Sequence, residues 1–126
     1  MDGEPLHIEL SGDPGSIALA RDAAREFADL CGADPDDLAL AVSEAVTNAI
    51  VHGYRGGNDG VVGLIGYPDD EDCVVEVSDR GIGMRPHPDS PGLGLGLPVI
   101  SALAASVEIV SLDSGTAIRM RFPRAG

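Results

Sequence analysis

Residues 38–51 restrict the fold more than any other segment, because apolar side chains cover most of their surface when they are drawn as a helix. Asp34 and Pro35 come just before and are typical of a helix start, with aspartate as the N-cap and proline at the first helical position. A helix that is apolar on most of its surface is stable in water only when other elements cover it. We therefore expect this helix to be largely buried.

The rest of the chain supplies strands and two further helices around it. Apolar residues at every second position predict strands at 6–10, 61–67, 73–78, 107–112 and 116–123. Apolar residues spaced three to four positions apart predict helices at 16–30 and 93–105. The order β-α-α-β-β-α-β-β contains few βαβ units. It predicts an α+β two-layer sandwich, with a mixed, mainly antiparallel sheet of about five strands and three helices on one face. At 126 residues we expect a single domain, 1–126.

Composition excludes several classes of partner. The net charge is −13, with 21 acidic residues against 8 basic ones, and the chain has no lysine. A main role in binding DNA or RNA is therefore not expected, and a lysine-dependent phosphate loop is excluded. Residues 1–4 are acidic with no apolar run behind them, which predicts neither a signal peptide nor a membrane span. Cys31 and Cys73 lack metal-type spacing, so we expect two buried thiols rather than a disulfide, in a cytoplasmic protein.

The first polar group that could carry chemistry lies in the apolar helix itself. Glu44, Asn48 and His52 are spaced four apart, so they share one helix face. Polar groups in an apolar helix cost free energy unless a partner satisfies them, and an amide oxygen suits a Mg²⁺ ion that keeps its waters. The alternative is a polar stripe that hydrogen-bonds to a neighbouring loop. His52 is more typical of a capping or packing residue.

Two glycine-rich loops supply the other candidate groups. Asp79 ends a strand and could accept a hydrogen bond from an exocyclic amine, while Gly81 and Gly83 would let a flat ring approach the backbone. An ordinary Asp-x-Gly turn is the alternative. Residues 92–97, Gly-Leu-Gly-Leu-Gly-Leu, precede a helix whose free N–H groups could bind phosphate without lysine. The alternative for this segment is a flexible apolar hinge.

The order and spacing of these three segments resemble the nucleotide-binding boxes of the Bergerat-fold (GHKL) ATPase superfamily, over residues 5–123. Residues 42–54, Val-Ser-Glu-Ala-Val-Thr-Asn-Ala-Ile-Val-His-Gly-Tyr, are similar to the anti-sigma factor serine/threonine kinases of that superfamily. The resemblance implies a Bergerat-type fold and a cytoplasmic protein that uses ATP and Mg²⁺. It also implies phosphorylation of a serine of an anti-anti-sigma partner, sequestration of a sigma factor and a homodimer.

The resemblance also assigns roles to single residues. It implies that Asn48 binds Mg²⁺, that Glu44 is the general base for the serine hydroxyl, and that Asp79 recognises the adenine amino group. Thr116 would support adenine beside Asp79, and Arg21 would dock a partner protein. Gly81 and Gly83 would flank the base, and the phosphate loop would comprise Gly92, Leu93, Gly94, Leu95 and Gly96.

One departure from the family keeps other functions open. Only eight residues separate Gly83 from Gly92, and Asp89-Ser90-Pro91 stands where the family's kinases carry a basic residue. A missing cation near the γ-phosphate weakens transition-state stabilisation unless Arg85 or a partner supplies one. The alternatives are a non-catalytic ATP- or ADP-binding anti-sigma or switch-module protein, the catalytic half of a histidine-kinase system, and a structural domain that binds no nucleotide.

Overall fold

The computed structural model describes residues 6–53, 61–79, 97–112 and 115–124. Its elements follow the predicted order. They are β1 (Leu6–Ser11), α1 (Gly15–Cys31), α2 (Pro35–Gly53), β2 (Val61–Asp69), β3 (Asp72–Asp79), α3 (Leu97–Leu103), β4 (Ser106–Leu112) and β5 (Gly115–Pro123).

The strands form one five-stranded sheet in the order β1-β2-β3-β5-β4, and each of its four strand pairs is antiparallel. Side chains alternate between its faces, so that Leu64, Val75, Val77 and Met120 are buried toward the helices. The α+β two-layer prediction, with five strands and three helices, is therefore confirmed. The outer face of the sheet carries a polar cluster instead. In this cluster Glu76 accepts hydrogen bonds from the Tyr67 hydroxyl at 3.0 Å and from Arg119 Nε at 2.9 Å.

Helix α2 is buried as the sequence predicts. Asp34 caps it, because its Oδ1 accepts hydrogen bonds from the backbone N–H groups of Asp36 at 2.9 Å and of Asp37 at 3.0 Å. The helix packs against α1, α3 and the sheet. Leu38, Val42 and nearby alanines of α2 have no exposed area at all. This helix is the central element of the helical layer, and it positions the candidate site.

The cysteines correct one expectation. Both are buried, as predicted, but they are joined in a disulfide rather than free, with their Cα atoms 6.1 Å apart. Cys31 is the last residue of α1, which ends where Gly32 adopts a left-handed backbone with φ 104°. Cys73 lies at the start of β3, so the bond ties the end of α1 to the sheet. Their separation of 42 positions in sequence gives no spacing signal, because the fold and not a local motif brings the two cysteines together.

Most described element ends lie within one or two residues of the prediction, and two of the differences have a structural reason. Strand β2 continues through Pro68, which pairs with Cys73 of β3, because the ladder between the two strands extends to Asp69 opposite Asp72. Helix α3 ends at Leu103, two residues before the predicted end at 105, and residues 93–96 lie outside the described part. It ends at Leu103 because the N–H of Ala105 already donates to the carbonyl of Arg121 in β5. None of the described helices has both the length and the apolar character needed to span a bilayer.

Candidate functional site

Helix α2 positions two of the predicted site residues at different depths. Glu44 is half-buried, whereas Asn48, one turn later on the same face, is only 5% exposed. The Nδ2 atom of Asn48 is buried and has no hydrogen-bond partner in the part of the chain that the structure describes. A buried amide with an unused end is uncommon, and it is consistent with a group that enters from outside the chain. The side chain of His52 lies outside the described residues.

The hydroxyl groups beside these two residues are already used within the helix. Ser43 Oγ donates to the carbonyl of Leu40 at 2.9 Å, and Thr47 Oγ1 donates to the carbonyl of Ser43 at 2.7 Å. Such bonds from a hydroxyl to a carbonyl three or four residues earlier satisfy polar side chains inside a helix. Among residues 35–50, whose side chains the structure describes, Glu44 and Asn48 are thus the polar groups of this face that remain available to a ligand.

Strand β3 delivers the third predicted residue. Asp79 is its last residue and is fully buried, on the same side of the sheet as Val75 and Val77. The register places Thr116 of β5 directly opposite Asp79, and Thr116 is 2% exposed. Directly opposed residues have Cβ atoms about 5 Å apart, so a carboxylate and a hydroxyl lie side by side beneath the helical layer. The structure therefore brings Asp79 and Thr116 together as predicted, while their roles stay predictions.

The arrangement can serve three chemical purposes. The buried Asp79 carboxylate can accept hydrogen bonds from an amine. The Asn48 amide can offer its oxygen to a hard cation, since the two ends of an amide have nearly the same shape and a half-turn exchanges them. The half-exposed Glu44 carboxylate can hold a hydroxyl and accept its proton.

The two predicted glycine-rich loops lie outside the residues that the structure describes. The predicted residues outside the described part are Gly81, Gly83, Gly92, Leu93, Gly94, Leu95 and Gly96, together with Arg85. Arg21, the predicted docking residue, is exposed on α1. The phosphate loop and the docking role therefore stay predictions.

Sequence reasoning missed one residue next to the site. Leu40 lies one turn before Glu44 on the same face of α2, yet 45% of it is exposed. The apolar pattern of residues 38–51 predicted burial on nearly every side and could not show which side the other elements leave uncovered. The sequence signal that could have singled out Leu40 is its position four residues before Glu44.

Known proteins resemble the chain along most of its length. The pattern of the histidine kinase-like ATPase domain family matches residues 10–122. An anti-sigma F factor of Clostridium acetobutylicum is 38% identical over 98 residues, which cover 68% of each protein. A second anti-sigma F factor, from Clostridium beijerinckii, is 31% identical over 127 residues, covering 88% of this chain and 87% of that protein.

A solved structure extends the likeness to three dimensions. The crystal structure of the RsbU and RsbW domains of Rv1364c from Mycobacterium tuberculosis superposes with a TM-score of 0.70 at 28% identity. The match covers 95% of this chain and 32% of that longer chain. Fold, family pattern and relatives thus agree with the resemblance seen in residues 42–54.

Proposed function

The chain belongs to the histidine kinase-like ATPase domain family, and from that premise we propose that it is a magnesium-ATP-dependent anti-sigma regulator that phosphorylates a serine of an anti-anti-sigma partner. In the absence of that partner it would sequester a sigma factor, as the names of its relatives suggest. The observation that carries the proposal is the set of buried polar residues between α2 and the sheet. Asn48, Asp79 and Thr116 are 5%, 0% and 2% exposed, while most of the other buried side chains are apolar.

Nucleotide recognition would depend on Asp79. The Asp79 carboxylate is fully buried and can accept hydrogen bonds, and the exocyclic amine of adenine is a donor of the matching kind. Thr116, directly opposite in β5, would add a hydroxyl at the same edge of the base. Asn48 would offer its amide oxygen to the Mg²⁺ that accompanies the phosphates, and its buried Nδ2 group, which has no partner among the described residues, would donate to an acceptor oxygen of the bound nucleotide.

Glu44 would perform the step that distinguishes a kinase from a binding protein. Bound magnesium-ATP would supply the phosphoryl group and neutralise part of its charge. Because Glu44 is half-buried one turn outside Asn48, its carboxylate can meet a serine hydroxyl that arrives from solvent. It would hold that hydroxyl in line with the phosphate and accept its proton as the new bond forms.

Calorimetry tests the nucleotide site separately from catalysis. Titration with ATP in the presence of Mg²⁺ should show binding by the wild type and a loss of at least about tenfold in Asp79→Asn, because a buried hydrogen bond to a charged group contributes about 1.5–3 kcal/mol. Ser78→Ala is the matched control, since Ser78 adjoins Asp79 but points to the outer face of the sheet. Equal ATP affinity in wild type and Asp79→Asn would contradict the proposed role of this carboxylate.

The kinase step needs its own experiment. The purified protein is incubated with ATP, Mg²⁺ and an anti-anti-sigma protein of the same genome, and phosphoserine is measured by mass spectrometry. We expect transfer by the wild type and a strong loss in Glu44→Gln with ATP affinity retained. ATP binding without any phosphoserine in the wild type would instead favour the non-catalytic regulator. The sequence feature that favours this alternative is Asp89-Ser90-Pro91, which stands where the family's kinases carry a basic residue.

A homodimer is part of the proposal and has a surface that suits it. Leu19 and Leu30 of α1 are 61% and 62% exposed, and their spacing of eleven residues puts them on one side of the helix. Arg25 of α1 pairs with Asp36 of α2 and so marks a different side. β1, the strand nearest α1 in sequence, is an edge strand of the sheet. Light scattering should show a dimer that Leu19→Asp with Leu30→Asp dissociates, and a monomeric wild type would contradict this part.

A sigma factor as partner would also place the protein in the cytoplasm.

A further inference from the structure

The exposed leucine of α2 stands out against the rest of that helix. Leu38, Ala39, Ala41 and Val42 surround Leu40 in sequence and have no exposed area, whereas Leu40 is 45% exposed. Among residues 35–50, whose side chains are described, it is the one large apolar residue open to solvent. Single exposed leucines are common on protein surfaces, so exposure alone would mean little. The position of Leu40 relative to the site gives it significance.

The face of α2 that holds the site changes steadily from solvent to core. Leu40 is exposed, Glu44 is half-buried and Asn48 is 5% exposed, at successive spacings of four residues. Four residues of α-helix span about 6 Å. The phosphate end of the site lies at the buried Asn48, so a protein that presents a hydroxyl to Glu44 must approach from the exposed end. That approach brings the neighbours of the hydroxyl over Leu40.

Asp37 and Glu44 place carboxylates about one turn to either side of Leu40, and two other polar groups near it are already paired. Its own carbonyl accepts the hydrogen bond from Ser43 Oγ, so the adjacent hydroxyl is already used. One turn earlier, the carboxylate of Asp36 is paired with the guanidinium of Arg25 from α1. The 45% exposed side chain of Leu40 is therefore the apolar group that this end of the α2 face offers to a partner.

We propose that Leu40 is a specificity-determining contact for the protein substrate, receiving an apolar side chain that lies about 6 Å from the acceptor hydroxyl. That distance corresponds to two residues along an extended segment, at about 3.3 Å each, or to four residues along a helix. The inference rests on the proposed kinase function, because it takes Glu44 as the residue that meets the hydroxyl. It adds the chemistry of the partner: a serine or threonine with an apolar neighbour at one of these spacings.

Steady-state kinetics with an anti-anti-sigma protein of the same genome as the substrate, at saturating ATP and Mg²⁺, test the contact. We expect Leu40→Ala to raise the KM for the protein substrate about fivefold and Leu40→Asp to raise it further, since apolar area is no longer covered in the complex. The kcat value and the ATP affinity should stay within about twofold of the wild type, because Glu44 and Asn48 are untouched. Ile109→Ala is the matched control, as Ile109 is a 36% exposed apolar residue on the edge strand β4.

The partner side gives a second readout. Each apolar residue two or four positions from the acceptor serine is replaced by serine, and each substrate variant is assayed with wild type and Leu40→Ala. One substrate variant should raise the KM of the wild type but leave that of Leu40→Ala nearly unchanged, which is the coupling expected of residues in contact. Purely additive effects at all positions would overturn the proposal.

Other outcomes separate this inference from the proposed function. An active wild type whose KM is unchanged by Leu40→Ala and Leu40→Asp overturns the Leu40 contact alone. So does a loss of ATP affinity or a clear fall of the thermal midpoint in both variants, since Leu40 would then act through the fold. A wild type that forms no phosphoserine removes the proposed kinase. In that case, equilibrium binding of the same protein partner with ADP and Mg²⁺ decides the contact: weaker binding by both variants supports it, and unchanged binding overturns it.

Discussion

Reduction of the Cys31–Cys73 bond should lower the stability of the fold by an amount that the loop length sets. The bond joins residues 42 apart in sequence, and the closed loop contains all of α2 and β2. Closing a loop of this size removes about 4 kcal/mol of conformational entropy from the unfolded chain at 25 °C. With about 2.1 cal/mol/K of unfolding entropy per residue and 126 residues, the melting temperature should fall by about 15 °C on reduction.

The reduced protein should nevertheless stay folded at room temperature. Arg124 also holds the end of α1, because its Nε donates to the carbonyl of Cys31 at 2.8 Å and its Nη1 donates to the carbonyl of Asp70 at 3.3 Å. Asp79 lies at the opposite end of β3 from Cys73, about 20 Å along the strand at 3.3 Å per residue. ATP affinity should therefore change little on reduction, even though the melting temperature falls.

Circular dichroism melts with and without dithiothreitol, after mass spectrometry has confirmed each redox state, measure the effect. The double variant Cys31→Ala with Cys73→Ala is the control. Its midpoint should not respond to the reductant, and it should lie near that of the reduced wild type, apart from the loss of two buried sulfur atoms. Equal midpoints for oxidised and reduced wild type would refute the reasoning. The result also matters for the cellular location of the protein. The proposed function requires the cytoplasm, where disulfides are rare.

Three further substitutions test single features of the fold. Asp34→Ala should lower the free energy of unfolding by about 1 kcal/mol in urea denaturation, because the N-cap of α2 is lost, while Asp34→Asn should restore most of it. Gly63→Ala should cost about 1–3 kcal/mol, since its new Cβ would lie 2.8 Å from Ser78 Oγ, and adding Ser78→Ala should relieve most of that loss. Burial and the neighbouring Glu76 raise the pKa of Tyr67 above 10.0. The stability that this shift gives the folded state is therefore complete below pH 10.0 and is lost as the pH rises through the folded-state pKa. Tyr67→Phe should accordingly flatten the fall of stability above pH 10.0 in alkaline melts.

Local patterns predicted most of the fold. Alternating apolar residues located the strands, and Asp34-Pro35 located the start of α2, because these features depend on neighbours in sequence. The antiparallel sheet followed from an element order with few βαβ units. The candidate site was reached through resemblance, and the register then placed Asp79 opposite Thr116.

The features that sequence reasoning missed all depend on contacts between distant segments. The Cys31–Cys73 bond forms because the end of α1 lies over the start of β3, and no spacing of 42 residues signals that approach. The exposure of Leu40 depends on how α1, α3 and the sheet share the surface of α2. In each case the sequence supplies the residue, and the packing of the layers decides its environment.

In the function that we propose, the change in burial along α2 would separate binding from catalysis on one helix. A group that must hold a cation belongs at the buried end, where Asn48 lies, because electrostatic contacts are stronger away from bulk water. A group that must meet a serine on another protein has to remain reachable, which the half-buried Glu44 satisfies. A residue that selects that protein has to project beyond both, as Leu40 does at 45% exposure. A spacing of four residues keeps the three on one face, so the depth of each residue, and not its element, sets the function we propose for it.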